Sequence, residues 1–142
     1  MRKTETAAKE GGILLCVTDL ATDSDDLLDA ACELARTHGA HLEMIHVIDI
    51  EREKSHPDGQ MGIQFRLETL ARNLRRFRQS AASLLLFGTP EELIARRAKD
   101  MRAKLIAFAV TSPRPGLGEP RLIRQVARRV SCPVVVLPAR PA

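Results

Sequence analysis

The residues with chemical potential in this chain sit at the ends of short apolar runs. Asp19 follows Ile13-Leu-Leu-Cys-Val17, Asp49 follows the run 42–48, and Gly88-Thr89 follows Ser83-Leu-Leu-Leu-Phe87. Gly116-Leu-Gly118 lies in a segment, 111–119, that also holds Pro113 and Pro115. Glycines just ahead of a helix can turn backbone N–H groups toward an anion, although Glu119 would oppose one there. Arg121, Arg124 and Arg128 are spaced to share one helix face, and with Arg114 they offer guanidinium groups suited to a bidentate grip on phosphate or carboxylate. The cysteines Cys16, Cys32 and Cys132 show neither a CxxC pair nor metal-ligand spacing. Cys16 and Cys32 read as buried small hydrophobes, and Cys132 as a thiol nearer the surface. The four histidines do not cluster. His41 and His46, five apart on one strand, point to opposite faces, so structural roles are expected for them.

Recognised catalytic patterns are missing. There is no GxxxxGK[ST], and no GxGxxG follows the first apolar run. A phospho-receiver would carry a carboxylate after the third strand and a lysine after the fifth, where this chain has Gly88-Thr89 and Pro138. No GxSxG elbow or suitably placed histidine supplies a hydrolase nucleophile and base. No residue is assigned a catalytic role, and no metal site is expected.

The elements that must position these residues alternate. Runs at 13–17, 42–48, 83–87, 105–110 and 133–137 are short and largely apolar, the first of them continuously so, as strands covered on both faces are. Between them, Leu27, Leu28, Ala31, Leu34 and Ala35 recur at helical spacing and stop at Gly39, and Ile63, Leu67, Leu70, Leu74 and Phe77 mark one side of a second helix. Residues 49–60 read as a loop. Thr89-Pro-Glu-Glu92 is a helix entrance with a cap, proline at the first helical position and glutamate three after threonine. Pro120 opens a last helix carrying Leu122, Ile123, Val126 and Val130. Five strands alternating with four helices predict an α/β fold: one open parallel sheet with right-handed crossovers and helices on both faces. Ligands of such sheets lie outside the carboxyl ends of the strands, where the strand order reverses. The prolines flanking the fifth strand suit a sheet edge.

The chain has 142 residues and a formal charge of +4, enough for one domain with its own core. No apolar run approaches the roughly 18 residues needed to span a bilayer. The polar residues 1–11 are expected to form a flexible tail rather than a signal peptide, ahead of a domain at 12–140. An odd cysteine count without export suits a reducing cytoplasm. Residues 1–60 hold 6 basic and 13 acidic side chains, residues 61–142 hold 16 and 5. That asymmetry favours self-association or an anionic ligand. With no Trp or Tyr and four Phe, stacking platforms for single-stranded nucleic acid are missing, and nucleic acid ranks last among partners.

Taken in order, Ile13-Leu-Leu-Cys-Val-Thr-Asp19-Leu-Ala-Thr-Asp-Ser24, the segment 31–47, Gly88-Thr-Pro-Glu-Glu-Leu-Ile94 and Val126-Ala-Arg-Arg-Val-Ser-Cys-Pro-Val-Val-Val136 resemble the universal stress proteins over residues 12–138. The resemblance implies a Rossmann-like five-stranded sheet in order 3-2-1-4-5 and cytoplasmic homodimers paired through the last strand, here Val134, Val135 and Val136. It also implies, for the many members that hold ATP, nucleoside contacts at Asp19 and Val47 and phosphates on a glycine motif after the fourth strand. This sequence departs from that motif: the positions of its glycines fall on Thr111, Arg114 and Arg124-Gln125. Side chains there obstruct close phosphate approach, and Pro113 and Pro115 remove two N–H donors. The expectation is a non-enzymatic stress-response protein that works as a homodimer through contacts with an unidentified protein, without bound ATP. The alternative is a nucleotide- or anion-binding regulator using Asp19, Val47, Arg114, Gly116, Gly118 and Arg124 in the crevice between strands one and four.

Overall fold

The computed structural model describes residues 11–20, 25–49, 59–76, 79–110, 117 and 119–137. In chain order the elements are β1 (Ile13–Thr18), α1 (Asp25–His38), β2 (His41–Ile48), α2 (Gly59–Arg76), β3 (Ala81–Phe87), α3 (Pro90–Asp100), β4 (Leu105–Ala109), α4 (Pro120–Arg129) and β5 (Val134–Leu137). The sheet is parallel throughout, in order β3-β2-β1-β4-β5. Leu14 of β1 stands beside Leu42 on one side and Leu105 on the other.

Alternation along each strand divides the core into two layers. Leu14, Cys16, Leu42, Met44, Leu105 and Ala107 meet α1 and α2 through Leu27, Ala31, Ile63 and Leu67. Ile13, Leu15, Val17, Ile45, Val47, Ile106 and Phe108 meet α3 and α4 through Ile94, Ala98, Leu122 and Val126. β1, central and apolar on both sides, is fully buried. The predicted apolar character of the strands fits this double covering, which is complete at β1, β2 and β4 and partial at the edge strands β3 and β5. Among the described residues no helix is long and apolar enough to cross a membrane.

Several boundaries differ from the sequence expectation. Gly59 and Gln60, assigned above to a loop, form the start of α2. β3 begins at Ala81 rather than Ser83, because Leu42 pairs with Ala81. β4 ends at Ala109, leaving Val110 outside the ladder. Thr89 is the N-cap of α3 and Pro90 its first residue, but the threonine side chain makes no capping hydrogen bond. Fixed φ at Pro90, with Glu91 and Glu92 in the first turn, favours this helix start in its place. The expected tail lies outside the described residues except for Gly11, which is buried; a Cβ there would stand 1.5 Å from the Gly39 carbonyl oxygen.

Two helices end in the same motif with different residues. After α1, Ala40 N–H donates to Ala35 O (2.8 Å) and Gly39 N–H to Arg36 O (3.1 Å), with Gly39 at φ +59°. After α3, Ala103 N–H donates to Ala98 O (2.9 Å) and Arg102 N–H to Lys99 O (3.2 Å), with Arg102 at φ +51°. Both are Schellman caps, whose left-handed residue is ordinarily glycine. An L side chain there costs roughly 1–2 kcal/mol.

Candidate functional site

The strand order reverses between β1 and β4, so the crevice opens beyond Thr18 and its neighbour Ala109. The turn leaving β1 is tied down from three directions. Leu20 N–H donates to Thr18 Oγ1 (3.1 Å), the buried His46 of β2 donates from Nδ1 to the Thr18 carbonyl (2.9 Å), and the Arg66 guanidinium of α2 donates to the Leu20 carbonyl. Leu20 has φ +58° and is buried in the layer under α1 and α2. Burial of its side chain and these hydrogen bonds hold a backbone conformation that a leucine would not adopt alone. The result fixes Asp19, half-buried, at the mouth of the crevice.

Val47 of β2 is 1% exposed and belongs to the layer under α3 and α4. That same cluster takes in Leu117, from the segment between β4 and α4, at 7% exposure, together with Val17, Phe108 and Leu122. The leucine set between Gly116 and Gly118 is thus drawn into the core. Glu119 is the N-cap of α4 without a side-chain capping bond, and Pro120 begins the helix. Arg124 is exposed on α4, as are Arg121 and Arg128. Arg114, Gly116 and Gly118 lie outside the described residues. Of the six expected ligand contacts, then, the structure places Asp19 and Val47 at the carboxyl ends of the adjacent strands β1 and β2, and Arg124 on α4, which follows β4.

Polar residues that the sequence reading left aside are prominent. Glu43, 3% exposed in the middle of β2, receives a bidentate pair of hydrogen bonds from Arg97 of α3, Nε to Oε1 at 2.7 Å and Nη2 to Oε2 at 3.1 Å. A charged residue inside Leu42-Glu-Met-Ile45 was the signal for such a partner, because a strand covered on both faces cannot solvate it. Arg66 is half-buried on the Leu20 carbonyl, and Arg75 donates to the Ala81 carbonyl (3.0 Å). His41 shares a 2.5 Å hydrogen bond between Nδ1 and Ser80 Oγ, while its Nε2 is buried with no partner among the described residues. Burial lowers the His41 pKa from its ordinary value, with the nearby Glu43 pulling the other way.

The cysteines are chemically quiet. Burial, with Cys32 adding to it, pushes the Cys16 thiol up to about 12, and burial raises Cys32 and Cys132 as well. None is poised as a thiolate. Among the described residues no group of three His, Cys, Asp or Glu side chains is arranged to hold a metal ion.

Comparison with known proteins adds the following. The model of the universal stress protein family matches residues 12–138. Among solved structures, the universal stress protein from Archaeoglobus fulgidus in complex with dAMP superposes with a TM-score of 0.67 at 19% identity, over 88% of this chain and 96% of that one. A universal stress family protein from Burkholderia pseudomallei gives 0.64 at 23%, covering 92% and 98%. A universal stress protein in complex with cAMP gives 0.61 at 19%, covering 89% and 97%. No curated protein matches the sequence.

Proposed function

Because the chain belongs to the universal stress protein family, we propose that it is a non-enzymatic, cytoplasmic stress-response protein that acts as a homodimer through contacts with another protein, without bound ATP. One observation carries the ATP-free reading: Leu117 is buried in the apolar cluster that holds Val47, the residue expected to meet a nucleoside. Removing a buried leucine from such a cluster forfeits about 2 kcal/mol, close to thirtyfold in affinity for any ligand that displaces it. The exposed Arg124, at a position where the family resemblance implies a glycine, supports the same reading. Dimerisation is supported by β5, an edge strand whose Val136 is 45% exposed; an apolar unpaired edge invites a second strand.

Purification under native conditions, followed by nucleotide extraction and mass spectrometry, tests the proposal. Well below one ATP per chain is expected. Stoichiometric ATP overturns it.

A second reading, a nucleotide-binding regulator using the crevice beside Asp19, is favoured by the dAMP and cAMP complexes among the structural relatives. Thermal unfolding with ATP, AMP and cAMP separates the two readings, since a ligand at 100 times its Kd adds about 2.7 kcal/mol of stability. A shift abolished by Asp19→Ala supports the second reading. No shift with any of the three removes it.

A further inference from the structure

At the other end of the sheet, α3 and α4 finish side by side, and a cleft of about 500 Å³ opens between their last turns. Ala95, Ala98 and Ala103 leave it room, and three cations line it: Lys99 in the last turn of α3, Arg102 just beyond, and Arg129 in the last turn of α4. No carboxylate lines the cleft, and among the described residues none of the three cations is ion-paired. Basic residues at helix carboxyl ends are explained in part by the helix dipole, which accounts for Lys99 and Arg129. Arg102 needs a different reason. It occupies the left-handed position of a Schellman cap, filled at the end of α1 by Gly39, so the turn itself disfavours the side chain it carries.

We infer that this cleft is a second site, separate from the crevice at the carboxyl ends of the strands, and that it binds a compact polyanion: a small molecule bearing two or more carboxylate or phosphate groups. The volume falls in the range of small-molecule pockets. Arg102 and Arg129 present guanidinium forks that grip either group bidentately, Lys99 adds a point charge, and Ser131, which also lines the cleft, offers a hydroxyl.

The chain carries its own reporter, since Cys132 lines the cleft whereas Cys16 and Cys32 are buried. Alkylation of Cys132 by iodoacetamide, read by peptide mass spectrometry, is followed in sodium chloride at fixed ionic strength as citrate or pyrophosphate is added. Thermal unfolding is recorded in parallel. At ten times the half-saturating concentration, Cys132 alkylation should slow about tenfold, because only the unliganded fraction reacts. Protection by both probes, or by citrate alone, or by pyrophosphate alone, supports the site and identifies the group it accepts. Arg102→Gly relieves the turn and so retains the fold; it should abolish the protection and the thermal shift together. An effect reproduced by chloride, an effect unchanged in Arg102→Gly, or no protection by either probe overturns the inference.

Discussion

Glu43 and Arg97 are unequal partners, and the inequality is measurable. The carboxylate is 3% exposed and the guanidinium 33%. Removing Arg97 strands a buried charge, whereas removing the charge of Glu43 leaves an arginine that can turn to water. Arg97→Ala should cost about 2–3 kcal/mol and Glu43→Gln about 1–2 kcal/mol in urea unfolding, the pair being discounted because one member is partly solvated. Equal losses would contradict that ordering. His41 supplies a pH dependence of known sign. Its native pKa lies below the ordinary 6.5, so the unfolded chain takes up the proton first as pH falls. Stability from this ring is complete above about pH 6.5 and drains as pH drops from there toward the lowered native value. The stability advantage of the parent over His41→Asn should shrink across that window, measured by urea midpoints; an advantage independent of pH contradicts the assignment.

At the scale of elements, the two Schellman caps form a matched experiment. Gly39→Ala meets no steric neighbour, so its cost is the left-handed backbone alone, about 1 kcal/mol. Arg102→Gly should return a similar amount, about 1 kcal/mol, since the strain is then removed. Thermal melts of the two variants should move in opposite directions. The caps also mark how far the sequence could be read. Gly39 advertised the end of α1, and short, largely apolar runs advertised all five strands, because the fold obtains its strand pattern from burial on both faces. Arg102 gave no such signal: nothing in local propensity places an arginine at a left-handed position. The site was legible to the same extent. Asp19 was reachable from the end of its strand and Val47 only through the family resemblance, but the inward turn of Leu117 and the hold of Arg66 on Leu20 arise from tertiary contacts between segments far apart in the chain. No periodicity encodes them.

For the whole molecule, the acidic first half and basic second half make a polar surface on a chain whose sheet has two unlike edges. β3 lies at one edge and β5 at the other. β5 is short, begins after Pro133 and presents Val136, so a lysine there should block strand addition without disturbing the core. Light scattering should report a dimer for the parent chain and a monomer for Val136→Lys; a dimer in both would place the contact elsewhere. The pairing of Leu14 with Leu105 reaches further than either edge. During synthesis, β1, β2 and β3 leave the ribosome with one flank of β1 bare and the side chains of Ile13, Leu15 and Val17 roofless until α3, β4 and α4 follow. At about 5–20 residues per second that delay lasts a few seconds. Until that closure the nascent chain carries a bare apolar face, the aggregation-prone condition that slower translation would prolong.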